Sequence, residues 1–157
     1  MQWLLRQPRR AILPMAGDPA ATRVNVVPRD FVVDAVAYLS GLPASEGRTY
    51  QLADPHALTV DEMADTLAEA TGREVVKVPL PRKLAKASLA HVPGLYRLMR
   101  IPPEAVDYFA HPTIYLTEHC RADLAGSGIE APAFRSYVDR LVEYMRSHPG
   151  VGSTAMF

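Results

Sequence analysis

Residues 58–81, LTVDEMADTLAEATGREVVKVPLP, decide how the rest of the chain is read. Thr59 and Glu62 form a capping box, in which each side chain satisfies a backbone N–H of the other's turn. Leu58 and Met63 occupy the staple positions around it. Met63, Ala64, Leu67 and Ala68 recur at helical spacing and predict a buried stripe, and Gly72 is the expected stop. The run from Val75 to Val78 then predicts a strand, closed by Pro79-Leu80-Pro81. The acidic pairs Asp61-Glu62 and Asp65-Glu69 are expected on the exposed side, favourable at a helix N-terminus. A capped helix that turns straight into an apolar strand is the alternation of an α/β chain.

Outward from this stretch the same alternation continues. Residues 23–27, RVNVV, form an apolar β-branched run that predicts a strand. Asp30 is the expected N-cap of a helix over residues 31–40, with Phe31, Val32, Ala35, Val36 and Leu39 on its buried face. Gly41 and Pro43 stop that helix, residues 48–52 predict a second strand, and Ala53-Asp54-Pro55 turns the chain away. Downstream, helices are expected over residues 82–91 and 103–110, a short strand over 113–116, and a last helix over 133–147. That last helix should turn Phe134, Val138, Leu141 and Met145 inward. Residues 1–22 carry Pro8, Pro14, Gly17, Asp18 and Pro19 and are read as a helix remnant followed by irregular chain. The organisation is therefore a single domain over residues 1–157: an irregular start, an α/β core over 23–147 and a flexible tail over 148–157.

With 157 residues, 48% hydrophobic and 22% charged, the chain can bury a core without staples, and its composition excludes disorder, collagen and coiled coil. Seventeen basic residues balance seventeen acidic ones, so nothing draws the chain generally to nucleic acid or anionic membrane. Fourteen of the basic residues are arginine, which reads as coding bias. The single cysteine, Cys120, excludes an internal disulfide and a cysteine-based zinc motif, and a cytoplasmic setting is expected. No apolar run reaches the roughly 18–20 residues of a membrane span, and Trp3 to Leu5 is too short for a signal-peptide core.

No self-contained catalytic motif emerges. Gly126, Gly128 and Ala131, and again Gly150, Gly152 and Ala155, fit G-x-G-x-x-A, but neither stretch has the strand before it and long helix after it that a phosphate turn needs. No tyrosine has a lysine four residues on; Tyr96 with Arg100 is the nearest imitation, and arginine is a planar fork, not a compact ammonium. His119 beside Cys120 and Glu118 could suggest a nucleophile with its base, yet such partners normally arrive from elsewhere in the fold. The five histidines lack metal-ligand spacing.

The order of the pieces carries more than any one of them. RVNVVPRDFVVDAVAYL, then GRTYQLADP, then residues 58–81, and later residues 113–124 followed by GSGIEAPAF, resemble the C-terminal half of extended short-chain dehydrogenase/reductases. The resemblance covers residues 12–147 and is nearest to NAD-dependent epimerase/dehydratase and thioester-reductase-like members. It implies an α/β fold (an α+β fragment), related to the C-terminal, substrate-side part of an NAD(P)-binding Rossmann-type enzyme. In that family the Gly-rich turn, the catalytic Ser or Thr and the Tyr-x-x-x-Lys pair lie in the N-terminal half. The resemblance thus implies a substrate-binding part that is inactive alone, with no cofactor held by this chain and NAD or NADP belonging to a full-length relative. The alternative is a non-catalytic interaction module built on the same half-fold.

The resemblance also implies site residues. Arg23 and Asn25 stand where sugar-nucleotide members face the substrate's diphosphate, with Asp30 at the family aspartate. A guanidinium fork suits phosphate oxygens bidentately. Val24-Asn25-Val26-Val27-Pro28 replaces an aromatic and a histidine often seen there, which points toward an acyl or more hydrophobic small-molecule substrate. As a helix cap Asp30 needs no ligand. Finally, the apolar cluster Val24, Val26, Val27, Phe31 and Val32 predicts a homodimer through residues 24–39 or 49–52; the alternatives are a missing cofactor-binding half that covers it or a monomer that buries the cluster inside its own fold.

Overall fold

Two parallel strands carry the fold, and a proline inside one of them hides it from sequence reading. In the computed structural model, which describes residues 2–80 and 113–150, β1 (Arg10–Ala16) lies beside β2 (Glu74–Leu80). Ile12 stands opposite Val76 and Pro14 opposite Val78. Helix α1 (Gln2–Arg6) precedes β1. Parallel strands need a long crossover, and here it holds α2 (Arg29–Ser40), a 3-10 turn (Pro43–Ser45) and α3 (Val60–Thr71). After β2 come α4 (Glu118–Leu124), a second 3-10 turn (Phe134–Ser136) and α5 (Val138–Ser147).

The α/β class expected from the alternation is the one observed. The capping box also forms: the Glu62 N–H donates to Thr59 Oγ1 at 3.1 Å, and the Thr59 N–H to Glu62 Oε2 at 2.8 Å. Gly72 closes α3 in the left-handed region at φ 66°, where a side chain would be strained. Alternation along the strands then sets the two faces of the sheet. Ala11 and Met15 are buried on one face, which α3 covers. Lys77 shares that face and reaches Asp61 at 2.7 Å and Asp65 at 2.8 Å. Asp61 and Asp65, two of the four acidic residues read as simple helix-end charges, are thus partners of a strand lysine. Burial works against the Lys77 charge, but the hydrogen bonds to Asp61 and Asp65 outweigh it and raise its pKa.

A second apolar centre forms away from the sheet. Phe31, Ala35 and Leu39 of α2 pack with Cys120 and Leu124 of α4, and Tyr50, Leu52 and Ile129 close around them. Helical spacing predicted that α2 stripe, except that Val32 is half-buried and Val36 is 52% exposed at the stripe's edge. On α3 only Ala64 of the expected stripe is fully buried, Met63, Leu67 and Ala68 being half-buried, and two buried threonines join it. Thr66 and Thr71 satisfy their hydroxyls on the carbonyls of Glu62 and Leu67, at 2.8 and 2.6 Å.

Several expectations are corrected. The chain expected to be irregular over residues 10–16 is β1, because its in-register pairing with β2 outweighs the one N–H that Pro14 lacks. Residues 23–27 form no strand, only an isolated antiparallel bridge from Arg23 to Thr59, because the Asn25 amide takes the backbone of Asp54 in place of a ladder. Residues 48–52 and 113–116 likewise pair with no strand among the described residues. Asp30 is not the N-cap: Pro28 is, and Asp30 sits in the first turn, accepting from the Phe31 N–H at 3.0 Å. In α5, Val138 and Val142 are buried while Leu141 is 38% exposed, since the 3-10 turn at Phe134–Ser136 shifts the phase of the face. The helices expected over 82–91 and 103–110, and Tyr96 with Arg100, lie outside the described residues, as does most of the expected tail.

Candidate functional site

Arg23 and Asn25 are brought to one cleft of about 420 Å³, walled by residues 54–58, by Glu62 and by residues 113–115. The loop over residues 53–58 is held by side-chain-to-backbone bonds. Asn25 Nδ2 donates to the Asp54 carbonyl at 2.8 Å, and its Oδ1 accepts from the Asp54 N–H at 2.9 Å. Asp54 is buried, and its Oδ1 accepts from the His56 N–H at 2.8 Å, an Asx turn that points the chain back toward Arg23. Arg23 Nη1 donates to the Ala57 carbonyl at 2.6 Å. Both residues expected at the site therefore line it, but they are used differently. The Asn25 amide is spent on the loop, whereas one bond of the Arg23 fork fixes the side chain and leaves further N–H groups to meet a ligand.

Charge in the cleft is fixed as well. Hydrogen bonds from the Thr59 backbone and side chain, helped by Arg23 and Arg135, hold the Glu62 carboxyl below its usual range against a small desolvation. Tyr137 braces the neighbouring loop through its hydroxyl, which donates to the Val26 carbonyl at 3.0 Å; burial and then the Asp54 charge push its pKa up. The cleft thus offers one anchored cation, Arg23, two anchored acidic side chains, Asp54 and Glu62, and apolar area from Ile114, which is 76% exposed. It can hold a polar head with an apolar body.

A second cleft, of about 430 Å³, shares Pro55 and His56 and opens onto Phe31, Cys120 and Leu124. Cys120 is buried, and burial followed by the Asp123 charge pushes its thiol pKa up. Its neighbour His119 is exposed, so the pair has the wrong environment for a thiolate nucleophile. Gly126 and Gly128, at φ 81° and 77°, follow helix α4 and lead into the irregular segment 129–133. A dinucleotide's phosphates need a strand before the glycines and a helix after them, so these residues do not fit that cofactor.

Asp123 joins the two halves of this region. Arg48 Nη1 reaches its two oxygens at 3.0 and 2.8 Å, and the Tyr50 hydroxyl donates to Oδ2 at 2.6 Å. The bond from Tyr50 lowers the Asp123 pKa, partial burial opposes it, and Arg48 adds to the lowering. Tyr50 is correspondingly raised, by burial and by Asp123, and stays neutral at ordinary pH. A carboxyl whose pKa falls on folding stabilises above its unfolded value of about 4, and that contribution is lost as pH drops through the lower folded value. Glu62 acts in the same sense. The urea midpoint should therefore fall between about pH 6 and pH 3, and Asp123→Asn should lower it at neutral pH while flattening that dependence. An unchanged slope in the variant would remove Asp123 from the account.

In open α/β sheets ligands gather beyond the carboxyl ends of the strands. Here β1 exits at Ala16 toward Arg23, and α3, which returns to β2, starts at the cleft wall. No protein-family model matches the chain, and no curated protein does. Solved structures do match. The terminal R domain from the myxalamid PKS-NRPS biosynthetic pathway superposes with a TM-score of 0.65 at 21% identity, covering 96% of this chain and 38% of that one. Triphenylmethane reductase of Citrobacter sp. superposes with a TM-score of 0.58 at 20% identity, covering 83% and 44%. Its complex with NADP(H) gives 0.56 at 18% identity, covering 81% and 44%.

The fold is similar to part of each of these structures. The chain spans only 38–44% of the length of these structures. Among the described residues, no helix is long and apolar enough to cross a membrane. Of the cleft walls, residues 54–58, Glu62 and residues 113–115 escaped sequence reading, and Asp54-Pro55 at the turn was the one local signal that could have pointed to them.

Proposed function

We propose that this chain is the substrate-side part of an NAD(P)-dependent epimerase, dehydratase or reductase-like protein and does not transfer hydride alone. The observation that carries the reading is the Arg23 fork, anchored by one bond at a cleft on the strand-exit side of a fold shared with part of the myxalamid pathway's terminal R domain and of triphenylmethane reductase. Arg23 is assigned to an anionic group of the substrate, and Asn25 is the positioning residue that shapes the opposite wall. The exposed Ile114 and Tyr115 favour an acyl or otherwise apolar body. NAD or NADP is assigned to sequence of the cofactor-binding kind, since this chain has neither a strand-entered Gly-rich turn nor a Tyr-x-x-x-Lys pair. A buried, unpaired Cys120 suits a reducing cytoplasm.

Isothermal titration tests this directly. NADPH should show no saturable micromolar binding. Octanoyl-coenzyme A, an anionic acyl probe, should bind, and Arg23→Ala should weaken it about 10- to 100-fold, the value of a charge-assisted bond of roughly 1.5–3 kcal/mol. Micromolar NADPH binding, or a probe affinity indifferent to Arg23, would sink the reading.

A second reading, an interaction module, is favoured by the uncovered face of the sheet. Ile12 is 66% exposed and Val76 45%, and they lie side by side across the strands with Val78 beside them. The outer side of α2 adds Val33, Val36 and Tyr38. Apolar surface and, among the described residues, the open edges of a two-stranded sheet together invite a cofactor-binding half or a second copy, and we assign a homodimer through residues 24–39 or 49–52 to the isolated chain. Light scattering at tens of micromolar should give twice 17.3 kDa, and a monomer mass would defeat the assignment.

A further inference from the structure

At the opposite end of the strands from Arg23, three arginines that are distant in sequence meet at one cavity. Arg6 ends α1, Arg73 stands directly before β2, and Arg146 lies in the last turn of α5. They line a cavity of about 240 Å³ with Leu5, Met145 and Pro149. Two of the side chains are held by backbone carbonyls: Arg73 Nη2 donates to Leu5 at 2.9 Å, and Arg146 Nη2 to Thr71 at 3.1 Å. The Arg73 Nε is buried and has no acceptor. Among the described residues the ion pairs are those of Arg10, Arg48 and Lys77, and none of the three cavity arginines takes a carboxylate.

A plainer account is that these arginines neutralise helix ends, because α1, α3 and α5 all terminate here. The charges do not balance on that account. A helix C-terminus carries about −0.5 of a charge, so three ends supply at most about −1.5 against three full positive charges. The five-residue α1 supplies less than its share. A net positive, partly enclosed site remains. Guanidinium forks converging on a small space suit the tetrahedral oxygens of a phosphate group.

We propose that the Arg6–Arg73–Arg146 cavity binds a compact phosphate-type anion, either free or as the diphosphate end of a larger molecule. The site is separate from the Arg23 cleft and from the reading given to it. Inorganic pyrophosphate titrated into the full chain at 150 mM salt, about one Debye length of 8 Å, should bind saturably with a stoichiometry of one. Arg6→Gln, at an exposed side chain, should weaken it about fivefold or more without lowering the melting temperature, and Arg146→Gln should weaken it alike, with the small melting loss expected from giving up its bond to the Thr71 carbonyl. Arg73→Lys keeps the charge but loses the fork and should weaken binding about tenfold. The remote Arg29→Gln should leave the affinity unchanged. ADP binding as well as pyrophosphate would identify the diphosphate end of a larger ligand, and exclusion of ADP would identify the free anion. No saturable binding, or equal losses from Arg29→Gln and Arg6→Gln, would overturn the proposal.

Discussion

Phe31→Ala should lower the stability of the chain by roughly 3–5 kcal/mol, the usual cost of emptying a buried aromatic position. Phe31 is 6% exposed and sits where α2, α4 and the second cleft meet, with Ala35 and Leu39 below it and Cys120 and Leu124 across from it. The neighbours cannot close over the gap cheaply, because Ala35 is already small and Leu124 is fixed in the last turn of a seven-residue helix. A domain of this size holds only about 5–15 kcal/mol in total. The loss should therefore appear as a melting temperature lower by about 6–20 °C. Phe31→Leu keeps most of the volume and should cost markedly less. A thermal melt that treats the two variants alike would show that the α2–α4 contact does not hold this half of the molecule together.

What could be read from the sequence divides by the distance over which each feature is decided. The capping box of Thr59 and Glu62 and the stop at Gly72 were legible because all partners lie within one turn. Phe31, Ala35 and Leu39 were legible because helical spacing alone places them together. Strand β1 was not, since Pro14, which has no N–H to donate, argues locally against a strand, and the pairing with β2 that overrides it lies far along the chain. Residues 23–27 were misread for a related reason. Their composition is that of a strand, but one side chain, Asn25, takes the hydrogen bonds that a partner strand would have taken. The site follows the same division. Arg23 and Asn25 came from the ordered resemblance of the pieces, whereas Glu62 and residues 113–115 reach the cleft from other elements. The Arg48–Asp123 pair closes over 75 residues, and no local pattern announces such a contact.

Asn25→Ala should destabilise the chain by roughly 2–4 kcal/mol, because it strands two backbone groups at once. The Asn25 amide both donates to and accepts from Asp54, which is 5% exposed and has little water to turn to. Each orphaned group costs about 1–3 kcal/mol, less whatever the loop recovers by relaxing. Arg23→Ala differs, since it removes a single bond to the Ala57 carbonyl from an exposed side chain and should cost about 1 kcal/mol. The pair of variants therefore separates holding the loop from meeting the ligand. Asn25→Ala should lose melting temperature first and probe affinity as a consequence, while Arg23→Ala should lose affinity with a small change in melting. Asn25→Asp keeps the acceptor for the Asp54 N–H but removes the donor to the Asp54 carbonyl and adds charge beside a buried carboxylate, so it should not rescue. Differential scanning calorimetry with octanoyl-coenzyme A titrations on the same samples reads both quantities. If Asn25→Ala melted like the parent chain yet failed to bind the probe, Asn25 would be a ligand contact and the loop would be held by something else.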